Sequence, residues 1–145
     1  MSDAKKVRLG VIGMGGMGTH HARYVQQGQI KKCDLTAVCD VDPKRLESFG
    51  DKVKRFTDSR ALIHSGEVDA VLVATPHYDH TTVGVEALKS GLHVLVEKPI
   101  SVHKADAERL VAAHKGKKQV FAAMFNQRTC GHYRKVKDLI QKGHL

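Results

Sequence analysis

The chain has 145 residues, 41% hydrophobic and 27% charged, which suits one domain around a single core of ordinary composition. Lys+Arg 24 against Asp+Glu 15 gives +9, yet the cations are scattered, and with Tyr 3, Phe 4 and Trp 0 there is little to stack on bases, so nucleic-acid binding is not expected. No apolar run nears the roughly 18 residues of a membrane span, and Cys33, Cys39 and Cys130 lack CxxC spacing, which suits a reducing compartment rather than a disulfide scaffold.

Residues 1–6 carry charge but no apolar signal core, so a cytoplasmic rather than a secreted protein is expected. Val7–Ile12 reads as a buried-type strand. It gives way to Gly13, Gly15 and Gly18, then to a helix in which Gly18, Ala22 and Val25 share a face until Gly28 stops it. Residues 35–39 predict a second strand, closed by Asp40. Asp42 then caps a helix with Pro43 at its first position, Leu46 and Phe49 forming a short apolar face before Gly50. A weak strand over 53–56 precedes a short helix over 59–65, closed by Gly66.

Residues 69–75 predict the next strand, ended by Pro76. Asp79 is expected to cap a helix whose Thr81, Gly84, Val85 and Leu88 lie together, with Gly91 as its stop. His93–Val96 is a fifth strand. The helix over 104–115 is expected to turn Ala107, Leu110 and Val111 inward, with its acids early and its lysines late, as the helix dipole prefers. Residues 120–125 predict a sixth strand and 133–142 a last helix, which ends at Gly143.

Repeated strand–helix units with buried strands predict a parallel sheet with helices on both faces. Right-handed crossovers then favour a doubly wound α/β domain, the Rossmann fold, with strand order 3-2-1-4-5-6. Ligands bind such sheets beyond the carboxyl ends of the strands. The chemically promising segments all fall there: 13–18, Asp40, 75–80, 97–99 and 126–128.

Each glycine of the first turn has its own task in binding a dinucleotide. Gly13 permits the tight turn, Gly15 admits a pyrophosphate close to the backbone, and Gly18 lets helix and strand pack closely. The helix N-terminus then offers amide N–H groups to the anion. Asp40 can accept bonds from ribose hydroxyls and repel a 2′-phosphate, favouring NAD over NADP, while Lys44 and Arg45 soften that preference. Asp40 reads alternatively as a turn carboxylate.

Lys98, in Glu97-Lys98-Pro99, can hydrogen-bond a substrate hydroxyl as hydride leaves, a role that calls for burial beside the nicotinamide. The plainer alternative is a solvated lysine. A cis bond at Pro99 would hold that lysine in an unusual turn. His77, Asp79 and His80 lack the further ligand spacing of a metal site, so no metal is expected. A cofactor-lining loop with His80 near the nicotinamide fits better. His20 and His21 read as surface and edge packing, and Cys130-Gly131-His132 shows no oriented base for nucleophilic catalysis.

Gly-Val-Ile-Gly-Met-Gly-Gly-Met-Gly at 10–18, Cys-Asp-Val-Asp-Pro at 39–43, Ala-Thr-Pro-x-x-x-His at 74–80 and Gly-Leu-His-Val-Leu-Val-Glu-Lys-Pro at 91–99 occur together in one order. In this the chain resembles the N-terminal half of the glucose–fructose oxidoreductase/inositol dehydrogenase (Gfo/Idh/MocA) family. The resemblance implies an NAD(P)-dependent oxidoreductase acting on a sugar, cyclitol or similar polyol. It implies that Gly13, Gly15, Gly16, Met17, Gly18 and Asp40 hold the cofactor, lined by Thr75, Pro76, His80 and Glu97. Lys98 would meet both the cofactor and the reacting hydroxyl, as the catalytic residue. Asn126 would fall by the nicotinamide and Arg128 by the substrate, whereas His77 stands where the family often has asparagine.

Residues 1–125 are thus expected to form the dinucleotide-binding domain, and 126–145 a connecting segment and helix leading to a substrate domain. On that reading the chain is a fragment or truncated product that binds nucleotide and turns over little alone. Faces meant for the second domain would favour self-association into a homo-oligomer. The rival reading is a non-catalytic NAD(H)-binding regulatory or interaction module.

Overall fold

The computed structural model describes residues 5–145, so the first four positions of the charged start read at 1–6 lie outside the described residues. Six parallel strands form one sheet: β1 (Val7–Ile12), β2 (Cys33–Cys39), β3 (Lys54–Phe56), β4 (Ala70–Val73), β5 (His93–Val96) and β6 (Phe121–Ala123). Their order is β3-β2-β1-β4-β5-β6, the predicted reversal between β1 and β4. The helices are α1 (Gly16–Gln26), α2 (Ser59–Ile63), α3 (Asp79–Lys89), α4 (Lys104–His114) and α5 (Gly131–Gln141).

The period-two alternation of the strands sorts the core into two layers. Ile12, Val71, Val73, Val94 and Val96 point to one face, where Leu62, Leu88 and Leu110 meet them. Val11, Val38 and Leu72 point to the other, against Met14, Ala22, Val25, Leu46 and Phe49. Gly84 permits the close meeting of α3 and α4, since a Cβ there would come 2.7 Å from a Leu110 methyl. Beyond α1 the second face is thinly covered. An apolar groove of about 350 Å³ runs there, lined by Leu9, Ile30, Leu95, Ala122 and Met124 among others.

Several local expectations are corrected. Asp42 does cap its turn, accepting the Lys44 N–H at 3.1 Å, but Pro43–Leu46 winds as a single 3-10 turn rather than an α-helix. Asp79 is the first helical residue of α3 rather than its cap, and Tyr78 at the cap makes no side-chain bond. Asp58 is the side chain that caps, accepting the Arg60 and Ala61 amides ahead of α2. In α4 only Leu110 is buried; Val111 is 57% exposed, and Ala113 packs against the core instead. A second 3-10 turn, Asn126–Thr129, follows β6, and α5 buries none of its side chains.

At the amino-terminal end of the sheet, the Arg8 guanidinium grips Asp69 at 2.7 Å, and the Arg8 amide donates to the same carboxylate. That grip holds the Asp69 carboxyl down at about 2, from an ordinary 3.8. It pins β1 to the entrance of β4, leaving the opposite end free for ligand.

Candidate functional site

At the carboxyl end of β1 the chain turns through Gly13, whose φ of +93° favours glycine. A Cβ at Gly13 would come 2.6 Å from the Ala74 carbonyl and the Thr75 amide. One at Gly18 would run into the Gly13 carbonyl oxygen, so α1 can lie against the turn only with glycine there. Gly15 and Gly16 differ: a Cβ on either meets nothing within 4 Å. Those two positions therefore border open space, with Met17 about half exposed beside them.

Gly15 is the N-cap of α1 and supplies no side-chain bond, so the first amides of the helix are left for another acceptor. A neighbouring cavity of about 430 Å³ is lined by Gly13, Asp40, Arg45, Asp58, Thr75 and Pro76, among others. The Thr75 hydroxyl is buried without a hydrogen-bond partner among the described residues. An orphaned hydroxyl, an uncapped helix start and a glycine cradle all fit a dinucleotide at this end of the sheet.

Asp40 is buried, and its carboxylate is already engaged. Oδ2 accepts the Met14 N–H at 2.7 Å, within the glycine turn itself, and Oδ1 accepts the Asp42 N–H at 3.0 Å. Arg45 Nη1 stands 3.4 Å from Oδ2. Asp40 thus braces the glycine turn, as its reading as a turn carboxylate expects. Cys39, beside it, is buried, and loss of hydration pushes its thiol up to about 12, leaving it a poor nucleophile.

His80, expected to line the nicotinamide site, is instead fully buried. Its Nδ1 lies 2.9 Å from the Pro99 carbonyl oxygen and its Nε2 3.0 Å from that of Thr75. It clamps the segments after β4 and β5 together and presents no free nitrogen, to a metal or to a cofactor. The His77 ring packs edge-on against it. The Lys98–Pro99 peptide is cis. Lys98 is exposed rather than buried, and its ammonium has no partner among the described residues.

Glu97 is buried as well. Oε1 lies 2.7 Å from His21 Nε2 on α1, and Oε2 accepts the Lys98 N–H at 2.9 Å. His20 is exposed, whereas His21 is partly buried on Glu97, a partnership that surface and edge packing did not anticipate. The one signal for it in the sequence was a histidine a single turn beyond Gly18 on the helix that follows the glycine turn.

Asn126 and Arg128 are exposed in the 3-10 turn after β6 and lie outside the lining of the glycine-turn cavity. Asn126 Oδ1 accepts the Gln127 amide at 3.1 Å, and the Arg128 guanidinium sits 5.4 Å from the Phe125 ring centre. The Cys130 sulfur is 3.4 Å from both ring nitrogens of His132, which singles out neither as an oriented base.

Comparison with known proteins bears on this geometry. The family model GFO_IDH_MocA, described as "Oxidoreductase family, NAD-binding Rossmann fold", matches residues 7–125. Myo-inositol 2-dehydrogenase of Thermotoga maritima is 33% identical over 142 residues, 96% of this chain and 42% of that protein. The crystal structure of myo-inositol 2-dehydrogenase from Lactobacillus plantarum superposes with a TM-score of 0.87 at 27% identity, covering 97% of this chain and 42% of that one. That of scyllo-inositol dehydrogenase from Lactobacillus casei, with bound NAD(H) and scyllo-inositol, gives 0.84 at 28% identity over the same shares. The chain thus spans about 42% of the length of these relatives.

Proposed function

Since the chain belongs to the Gfo/Idh/MocA oxidoreductase family, we propose that it is the NAD-binding part of a dehydrogenase of inositols, sugars or related polyols. The observation that carries the nucleotide reading is the contrast within the turn. Gly13 and Gly18 are sterically locked against the protein, while Gly15 and Gly16 border empty space under an uncapped helix start. The relatives matched are oxidoreductases by name, which favours the enzyme over a regulatory module.

The dinucleotide, when bound, supplies a nicotinamide that accepts or returns a hydride. The first amides of α1 would hold its diphosphate, with Gly15, Gly16 and Met17 leaving room for it. Asp40 would take a ribose hydroxyl on its remaining lone pairs, and the orphaned Thr75 hydroxyl would gain a partner. Lys98 Nζ would hold the substrate oxygen and its proton, with Asn126 and Arg128 completing the nicotinamide and substrate sides. The division into residues 1–125 as cofactor domain and 126–145 as a connection towards a substrate domain belongs to the same proposal, as does assembly into homo-oligomers.

Titrating the purified chain with NADH, followed by nicotinamide fluorescence, tests the reading. Saturable binding is the expected outcome. A folded chain that ignores NADH at millimolar concentration would overturn it.

A further inference from the structure

We infer that the cleft between the 3-10 turn Asn126–Thr129 and α5 is an oxyanion site, so that the polyol taken by the complete enzyme carries a carboxylate or a phosphate. This rests on the dehydrogenase reading above and narrows its substrate class.

The cleft encloses about 620 Å³, within the range of small-molecule sites. Two elements meet across it. The turn brings Gln127 and Arg128, while Arg134, Lys137 and Gln141 follow one another at helical spacing along one face of α5.

Its charges are unbalanced. Arg8, Arg45, Arg55, Arg60 and Arg109 each reach a carboxylate, whereas Arg128, Arg134 and Lys137 have no ion-pair partner among the described residues. Asp138 is the one carboxylate lining the cleft, and it is already held by Lys142 at 3.0 Å and Lys135 at 3.8 Å. Unpaired cations along a concave wall focus positive potential on whatever enters. A guanidinium grips a carboxylate or phosphate through paired N–H donors, and the Gln127 and Gln141 amides and the Tyr133 hydroxyl suit the remaining hydroxyls of a polyol.

Its place also suits the reaction. Val96 and Ala123 are register partners in β5 and β6, Lys98 follows two residues after Val96, and the turn starts three residues after Ala123. The lysine proposed for catalysis and the turn that walls the cleft thus leave neighbouring strands, roughly 4.8 Å apart, at the same end of the sheet.

The test titrates the isotopically labelled chain, with NADH present, with gluconate, inositol monophosphate, myo-inositol and inorganic phosphate, following backbone amide shifts over residues 127–141. At least one of the two anionic polyols is expected to bind saturably, about tenfold or more tighter than myo-inositol. Gluconate alone marks a sugar acid as the source of the oxyanion, and inositol monophosphate alone marks a phosphate ester. Arg134→Gln combined with Lys137→Gln should weaken that binding at least about tenfold and leave NADH affinity and the circular dichroism spectrum unchanged. Anions that bind no better than myo-inositol, or as well to the double variant, overturn the inference. Inorganic phosphate that binds as tightly as the anionic polyols overturns it too, since no polyol is then recognised. A chain that ignores NADH overturns the dehydrogenase reading and this inference with it, whereas NADH binding without a preference for anions overturns this inference alone.

Discussion

His21 on α1 and Glu97 at the end of β5 are joined at 2.7 Å, and the second oxygen of Glu97 accepts the Lys98 amide. One buried carboxylate therefore couples the helix behind the glycine turn to the backbone of the lysine proposed for catalysis. Replacing His21 by Ala leaves that carboxylate short of a partner in a dry setting, and a loss of about 1–3 kcal/mol is expected. Glu97→Gln should cost less, because the amide oxygen can still accept a bond. Urea denaturation of the two variants measures the difference.

Gly15 and Gly18 should separate binding from folding. Gly15→Val places its side chain in open space, so the fold should lose no more than about 1 kcal/mol, chiefly at the helix cap. NADH affinity should nevertheless fall more than about tenfold as the cradle fills. Gly18→Ala drives a methyl into the Gly13 carbonyl and should destabilise by at least about 3 kcal/mol, despite the better helix propensity of Ala. Thermal melts and NADH titrations, run in parallel, check both halves.

Lys98 is expected to matter for turnover and little for nucleotide affinity, since its ammonium makes no contact within the described residues. In a protein carrying the complete polyol site, Lys98→Ala should lower kcat by roughly 10²–10⁴, the range for loss of a proton-handling group. NADH affinity should change by less than about threefold. Equal losses in both would remove the catalytic role.

Acid stability should depend on Asp69. Its hydrogen bond with Arg8 lowers the folded carboxyl to about 2, against 3.8 unfolded. The contribution is therefore complete above about pH 4 and is lost as pH falls towards 2. Asp69→Asn should flatten the stability profile across that window and leave the shape of the curve near neutrality unchanged. Urea midpoints measured between pH 2 and 6 would show it.

Helix α5 should drive self-association. Tyr133, Val136 and Ile140 share a stripe at helical spacing, and each is about half exposed. The apolar groove beside β5 and β6 adds a second uncovered surface. Light scattering of the chain is expected to show mass rising with concentration, and Val136→Lys combined with Ile140→Lys should reduce it. A clean monomer at high concentration would contradict this.

Much of the fold could be read directly from the residues. The strand ends at Val7 and Ile12, the helical stripe of Gly18, Ala22 and Val25, and the stop at Gly28 all follow from periodicity and local sterics. The failures are also local in cause. Phe49 is buried as expected, but only four residues wind into the preceding 3-10 turn. Val111 matched the helical period, yet α4 meets α3 along the line of Leu110, so the neighbouring position faces water.

The site divides in the same way. Order of elements, the glycine turn and the placement of Asp40, Thr75 and Lys98 at strand ends were determined by the sequence, because they depend on steric rules acting within a few residues. Only the tertiary structure decided that Asp40 braces Met14, that His80 locks Thr75 to Pro99 and that His21 meets Glu97. Apart from the short reach from His80 to Thr75, those bonds join segments far apart in the chain, and a polar group shows its partner only after packing has removed the water that would otherwise satisfy it.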